Sequence, residues 1–330
     1  MNKRKWQIQA VMTFLAAAIM LSGGCDSLDN DKNNNDDVTG ASKETESGEI
    51  TAEDGFELSP IGEITDITRE PSAFPVTVNN VVIKEKPQSA ICLSGSLTEV
   101  IYELGYGDRL IGRGSYCDYP EAVSALPDFG RPSSPELEMI REAEPDVLIT
   151  ATSIPNIDAA ALNDSGIAVL YIPSPRSLDE LGRIYNALGM TFEGLFDGEK
   201  NGSAVFSPVR AAFSDTGTDI GKFVYITEGL TVAGGDTFES SLLSYFGTNV
   251  ASQATGYSAD RDFLRSEQPY TIVLNSDITD AQLAADDVIS SLDAYINGRI
   301  IRVSNSFFES PSGRITIISD ELKSAEGVIR

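Results

Sequence analysis

From Val76 onwards the chain alternates short apolar runs with longer segments of helical spacing. Four of the apolar runs stand at residues 89–94, 110–114, 146–150 and 167–172. Strands that alternate with helices form units in which the strands run parallel and the helices cover both faces of the sheet. The sequence therefore predicts an α/β fold with a largely parallel sheet.

Polar residues predict the start of the first helix in this part of the chain. Ser96 and Glu99 have the spacing of a capping box, in which each side chain accepts a bond from the backbone of the other residue. Gly105 then supplies a residue that can end the helix in the left-handed conformation. We therefore predict a helix from Ser96 to about Gly105, directly after a strand.

Two later helices have comparable signals. Ser134 and Pro135 predict the N-cap and the first residue of a second helix. Ser177 and Glu180 form another predicted capping box, followed by an amphipathic segment that Gly189 would end.

A second α/β unit follows further along the chain. Its apolar runs stand at residues 223–227, 270–274 and 299–303, and a loop with Gly234 and Gly235 leads into a helix. Ligands of open α/β sheets bind at the carboxyl ends of the strands. Two such lobes therefore predict a ligand cleft between them.

The N-terminal segment has the layout of a secretory signal. Lys3, Arg4 and Lys5 precede an apolar run at residues 10–21, and small residues precede Cys25. This arrangement resembles a lipobox, after which Cys25 would be acylated and become the new N-terminus. We therefore expect a lipid-anchored protein.

Residues 26–60 are polar and have no apolar period, so residues 26–75 are expected to form a flexible acidic and polar tether with its lead-in. The predicted organisation is a signal peptide at 1–25, the tether at 26–75, an N-terminal lobe at 76–190, a bridging helix region at 191–221 and a C-terminal lobe at 222–330.

The charge balance excludes several functions. The chain has 50 acidic and 24 basic residues, a net charge of −26, and no histidine. Nucleic acid would be repelled, and neither Ser-His-Asp catalysis nor a histidine-ligated metal or haem is available. We expect a binding protein without enzymatic activity, cofactor or metal. Cys92 and Cys117 either pair or stay as free, buried thiols.

Several short motifs, in their order along the chain, resemble one family. They are residues 93–99 (LSGSLTE), 104–112 (LGYGDRLIG), 115–120 (SYCDYP), 137–140 (LEMI), 144–149 (EPDVLI), 233–238 (AGGDTF), 247–250 (GTNV) and 297–303 (NGRIIRV). Together they resemble the iron-complex and vitamin B12 class of ABC-importer substrate-binding proteins. The resemblance implies two Rossmann-like lobes joined by a single long helix.

The same resemblance implies a function. The chain would be a monomer on the outer face of the bacterial cytoplasmic membrane, which passes a corrinoid or an iron chelate to an ABC permease and its ATPase. The alternative is a surface receptor or adhesin with the same fold and no importer. An enzyme is the third reading, because Gly95 and Ser96 resemble a nucleophile turn only loosely and no base accompanies them.

The resemblance also assigns roles to individual residues. Glu138 and Asp262, or Asp260 in its place, take the positions of the acidic residues that meet arginine pockets on the permease. Tyr116 matches a ligand-facing position in vitamin B12 binders, and an anionic ferric chelate would require arginines in the cleft. The predicted cleft residues are Tyr116, Arg113, Arg131, Phe307, Phe308 and Arg314.

Two features depart from the family pattern. The tryptophans that sandwich a corrin are missing, and Pro132, Ala151 and Tyr257 stand near their positions. The bridging region at 192–215 contains three glycines and Pro208, which cost roughly 1 and 3 kcal/mol each inside a helix. We therefore predict a bridge that is broken, bent or capped at Ser207 and Pro208, with wider lobe motion as a consequence.

Overall fold

The computed structural model describes residues 73–214 and 217–329. The predicted signal peptide with its Cys25, and residues 26–72 of the predicted tether, lie outside the described residues. No helix within the described ranges is both long enough and apolar enough to cross a membrane.

The first lobe is built on a four-stranded parallel sheet. The strands of the whole lobe are β1 (Val76–Val78), β2 (Val81–Ile83), β3 (Ala90–Cys92), β4 (Leu110–Arg113), β5 (Gly130–Arg131), β6 (Ser134–Pro135), β7 (Val147–Thr150) and β8 (Ala168–Tyr171). Its helices are α1 (Gly95–Glu103), α2 (Leu137–Ala143), α3 (Asn156–Asp164) and α4 (Leu178–Glu193). The sheet order is β4-β3-β7-β8, and β1 with β2 and β5 with β6 form separate antiparallel pairs.

The two central strands of this sheet, β3 and β7, are buried on both faces. Ala90 and Cys92 of β3 belong to one apolar core, and Ile91 between them belongs to another. Successive side chains of a strand point to opposite faces, so both faces must be covered by other elements. The continuous apolar runs in the sequence are explained by this burial.

The second lobe contains a six-stranded sheet. It follows α5 (Leu195–Ser214), and its strands are β9 (Gly221–Ile226), β10 (Val232–Ala233), β11 (Gly247–Asn249), β12 (Tyr257–Ser258), β13 (Thr271–Asn275) and β14 (Ile300–Val303). Its helices are α6 (Phe238–Leu243), α7 (Leu264–Glu267), α8 (Asp280–Ala285), α9 (Asp293–Ile296), α10 (Ser306–Glu309) and α11 (Thr316–Ile329). Strands β11, β9, β13 and β14 run parallel, and β10 and β12 form an antiparallel edge. The predicted two-lobed α/β architecture is confirmed.

The chain passes from the first sheet to the second through α4 and α5, and the prediction that the bridge is broken or capped at Ser207 and Pro208 is wrong. Helix α5 is continuous through Pro208, because buried Phe206, Val209 and Phe213 hold it against its neighbours. Burying one such side chain contributes about 1.5–3 kcal/mol, and three of them offset the cost of one proline.

The glycines of this region allow α4 and α5 to pack at close range. A Cβ atom on Gly198 would overlap the carbonyl oxygen of Gly189, and one on Gly189 would overlap that of Gly198. Gly189 is therefore a packing residue inside α4. The prediction that Gly189 ends this helix is wrong. The helix ends at Gly194, which has a φ of +83°.

The predicted start signals were right for one helix and wrong for two. Ser177 caps α4 by accepting from the backbone N–H of Glu180. Helix α1 is capped by Ser94 rather than by a box at Ser96, and its end near Gly105 is as predicted. Ser134 lies in β6 and pairs with Arg131 of β5, so it does not cap α2.

Candidate functional site

A cleft lies where the carboxyl ends of the first-lobe strands face the second lobe. It encloses a cavity of about 640 Å³. The first lobe contributes residues that follow each of its four sheet strands, such as Ser94 after β3, Tyr116 after β4 and Ala151 after β7. The second lobe contributes residues from the segment after β14, including Glu309 and Arg314. Side chains of both lobes thus converge on one space.

A second cavity of about 400 Å³ extends this cleft. Both cavities are lined by Ser174 and Glu309, so they adjoin. The additional wall comes from Arg176 of the first lobe and from the segment that begins α6, with Asp236 and Glu239. The combined cleft has a size suited to a small molecule.

Arg314 is anchored at the edge of the larger cavity by Glu99 of helix α1. Its Nε atom donates to Glu99 Oε2 at 2.8 Å, and its Nη2 atom donates to Glu99 Oε1. The Glu99 carboxylate also accepts from Ser312 Oγ at 2.6 Å and is only 3% exposed. This pairing raises the pKa of Arg314. Glu99 therefore joins the two lobes, a role that its predicted place in a capping box had concealed.

Aromatic rings cover the same guanidinium group. The centroid of Tyr119 lies 4.1 Å from the Arg314 Cζ atom, and that of Phe307 lies 5.5 Å from it. Cation–π contacts of this kind favour the charged form and limit the rotation of the side chain. Arg314 is thus held in one orientation before any ligand arrives.

One helical turn further along α1, Glu103 makes a second contact between the lobes. Its carboxylate accepts from the backbone N–H of Gly313 at 3.1 Å and from the hydroxyl of Tyr185. A Cβ atom on residue 313 would lie 2.9 Å from Glu103 Oε2, so a larger residue there would displace the Glu103 carboxylate. Burial raises the pKa of Glu103 and of Tyr185. Sequence reasoning missed this residue, although acids four apart on an otherwise apolar helix are an available signal.

The predicted cleft residues do not all meet. Tyr116 lines the larger cavity with 64% of its surface exposed, and Phe308 lines the smaller one. Arg131 lies over the Tyr116 ring, with its Cζ atom 5.7 Å from the centroid. Three of the predicted residues, Arg113, Arg131 and Phe307, lie outside the lining of both cavities, and Arg113 pairs with Asp128 at 3.6 Å. The structure therefore does not bring Arg113, Arg131 and Arg314 together around one anion.

The positions of the missing tryptophans do lie in the cleft. Pro132 and Ala151 line the larger cavity, and Tyr257 lines the smaller one. The Tyr257 hydroxyl donates to Glu239 at 2.9 and 3.0 Å. Burial raises the pKa of Glu239 and also that of Tyr257. Tyrosines provide the accessible rings of this cleft.

The two predicted docking residues are among the most exposed carboxylates near helix starts. The Glu138 side chain, in the first turn of α2, is 80% exposed and pairs with Arg141 at 3.1 Å. The Asp262 side chain, two residues before α7, is 83% exposed and lies 3.9 Å from Arg265. Asp260 Oδ1 accepts from the backbone N–H of Asp262.

The two cysteines of the folded part do not form a disulfide. Cys92 and Cys117 are free and buried, the second of the two alternatives. Burial raises the pKa of both thiols, that of Cys92 to about 12. Within the part of the chain that the structure describes, no group of three or more Cys, Asp or Glu side chains could hold a metal ion.

Residues 91–306 match the profile of the periplasmic binding protein family. The ABC transporter substrate-binding lipoprotein YvrC of Bacillus subtilis is 27% identical over 204 residues, which is 56% of this chain and 63% of YvrC, less than two thirds of its length. A cobalamin-binding protein of Halobacterium salinarum is 22% identical over 266 residues, 74% of this chain and 72% of the relative.

The fold has solved counterparts. The periplasmic haem-binding protein HutB of Vibrio cholerae aligns with a TM-score of 0.61 at 20% identity, covering 73% of this chain and 98% of HutB. At this identity the likeness shows the fold alone.

Proposed function

Because the chain belongs to the periplasmic binding protein family, we propose that it is the extracytoplasmic substrate-binding component of an ABC importer for a corrinoid or an iron chelate. The family membership also confirms the resemblance inferred from the sequence motifs. One observation on this chain supports the proposal most directly. Side chains from the strand ends of the first lobe and from the segment after β14 line one continuous cleft. In a two-lobed α/β protein, such a cleft is where a ligand binds.

The ligand types come from the relatives. The Halobacterium relative is named for cobalamin and the Vibrio structure for haem. Both ligands are large, ring-shaped and partly apolar, and the exposed rings of Tyr116, Tyr119 and Tyr257 offer matching contact surfaces in this cleft. We propose Tyr116, Phe308 and Arg314 as the residues that contact the ligand. Arg131 and Phe307 support them from outside the lining, against the Tyr116 ring and the Arg314 guanidinium group. The cleft residues predicted from the sequence also included Arg113. We propose that Arg113 instead supports the loop after β4, because its side chain donates to the carbonyl of Gly114.

Calorimetric titration of the full chain tests the proposal. Cyanocobalamin, haem and ferrichrome should be offered separately, and each bound compound should be recovered and analysed by mass spectrometry. We expect saturable binding of at least one compound, returned without chemical change, as for a binding protein and not an enzyme. Absence of binding in the whole panel, or chemical conversion of a bound compound, would contradict it.

Delivery to a permease is the second part of the proposal. Glu138 and Asp262 stand on separate lobes, and their pairs with Arg141 and Arg265 are surface contacts worth about 0–1 kcal/mol. Such weak pairs leave both carboxylates able to bind arginines of a partner. We propose that they dock the monomeric protein onto the permease, from a lipid anchor at Cys25 on the outer face of the cytoplasmic membrane.

An uptake assay separates an importer component from a surface receptor or adhesin. The double variant Glu138→Lys and Asp262→Lys should abolish uptake of the ligand and leave its affinity within about twofold, because neither side chain lines the cleft. A double variant at two other exposed acids, Glu142→Lys and Glu267→Lys, controls for the change in net charge. Undiminished uptake by the first variant would favour the receptor reading.

A further inference from the structure

Carboxylates outnumber cations along the cleft. Among the described residues, the ionisable side chains that line the two cavities, apart from the tyrosines, are Asp118, Asp236, Glu239, Glu309, Arg176 and Arg314. Glu309 belongs to the lining of both cavities, so an acidic side chain stands where they adjoin. Asp118 comes from the first lobe and the other three acids come from the second, which places negative charge on both walls.

The charge of Arg314 is already balanced within the protein. Glu99 receives two hydrogen bonds from its guanidinium group, and the Arg314 side chain is 27% exposed against 3% for Glu99. A ligand in the cleft therefore meets a neutral ion pair at this point. Among the described residues that line the two cavities, Arg176 is the cation that remains to offset the four acids. Arg131 lies outside the lining but over the Tyr116 ring, so counting it gives two cations against four acids and the cleft stays acidic.

The rest of the wall offers ring faces and hydrogen-bond acceptors. Tyr116, Tyr119 and Tyr257 are exposed despite their size, so their rings are free to contact a bulky ligand. Asp118 and Glu309 are exposed carboxylates, which accept hydrogen bonds and donate none. A complementary ligand has an apolar or ring-shaped body and carries N–H or O–H donors at its edge.

We infer that this cleft selects a ligand without net negative charge, such as an uncharged corrinoid or hydroxamate chelate with peripheral amide groups, and rejects polyanionic ferric chelates. The inference rests on the proposed function and narrows its ligand class. Amide N–H groups would donate to Asp118 and Glu309, and bonds to charged acceptors are about twice as strong as neutral ones. A trianionic chelate would instead bring like charges together inside a confined cleft.

The test compares three iron or cobalt compounds of different charge on the full chain. Cyanocobalamin and ferrichrome carry no net charge, and ferric enterobactin, a tricatecholate, is trianionic. The quantity measured is the ratio of the dissociation constant of the trianionic probe to that of the tighter uncharged probe, by calorimetry at low ionic strength. We expect the trianionic probe to bind at least a hundredfold more weakly.

Charge removal then assigns the effect to named residues. The double variant Asp118→Asn and Glu309→Gln should lower the ratio about tenfold or more, and Glu309→Gln alone should lower it partway. The matched control, Glu142→Gln with Glu267→Gln, removes the same charge from exposed positions outside the cleft lining and should change the ratio less than twofold. Circular dichroism on each variant confirms that these exposed substitutions leave the fold intact.

The outcomes are distinguishable. Equal or tighter binding of the trianionic probe by the unaltered chain would overturn this inference and leave the proposed function standing. An equal response of the cleft variant and its control would also overturn it, because the selection would then come from the overall charge. If none of these probes binds and haem does not bind either, the proposed function falls and this inference falls with it. If haem, which carries two carboxylates, binds and no uncharged probe does, this inference is overturned and the proposed function stands.

Discussion

Removing Glu99 should show how much the ion pair between the lobes stabilises the fold. In Glu99→Ala, the guanidinium group of Arg314 loses both hydrogen bonds to the carboxylate, and the Ser312 hydroxyl loses its acceptor. Arg314 then remains largely surrounded by protein without a compensating charge. The perturbation is therefore larger than the loss of one surface contact.

The magnitude follows from the burial of the two partners. Breaking a buried ion pair by removing one partner costs about 3–5 kcal/mol. The Arg314 side chain retains 27% of its exposure, so water replaces part of the lost interaction. We expect a loss of about 2–4 kcal/mol in the free energy of unfolding, which corresponds to roughly 4–16 °C in the melting midpoint of a domain of this size.

Urea unfolding followed by circular dichroism measures this loss. Glu138→Ala is the matched control, because that glutamate also pairs with an arginine but is 80% exposed, and its removal should change stability by about 0.5 kcal/mol or less. A cycle with Arg314→Ala should give a coupling energy of about 2 kcal/mol or more. If Glu99→Ala costs no more than Glu138→Ala, the ion pair does not stabilise the contact between the lobes and our reasoning fails.

Three further predictions concern Glu103, Gly198 and Cys25. Burial raises the pKa of Glu103, so the folded state binds this proton more tightly, and the free energy of unfolding falls as pH rises from the ordinary carboxyl pKa through the raised one. Glu103→Gln should remove this contribution when urea midpoints are measured as a function of pH, and an unaltered pH dependence would contradict the prediction. Gly198→Ala should cost about 1–3 kcal/mol, despite its gain in helix propensity, because its Cβ would overlap Gly189, whereas Gly229→Ala, which meets no atom within 4 Å, should be nearly neutral; equal melting temperatures of the two would refute the close-packing argument. Cys25→Ser should release the protein from the membrane fraction on cell fractionation, and its retention there would exclude an acyl anchor at this residue.

The parallel sheets could be predicted because their determinants are local in the sequence. Strand β7 was predicted within one residue of its observed start, because a strand that is buried on both faces forms a nearly continuous apolar run in the sequence. The helix cap at Ser177 was also predictable, because it depends on residues three positions apart. The cleft followed from the sheets, as strand ends define where a ligand binds in this type of fold.

What the sequence by itself determined about this protein is therefore its secondary structure, its two lobes and the region of its cleft. Only the tertiary structure decided which partner each polar or small residue has. Glu99 resembles a helix cap until Arg314, 215 residues away, is seen to bind it. Gly189 and Gly198 resemble helix breakers until each is found against the other. In both cases, the local preference is about 1 kcal/mol, and it is outweighed by contacts between distant parts of the chain that a linear pattern does not contain.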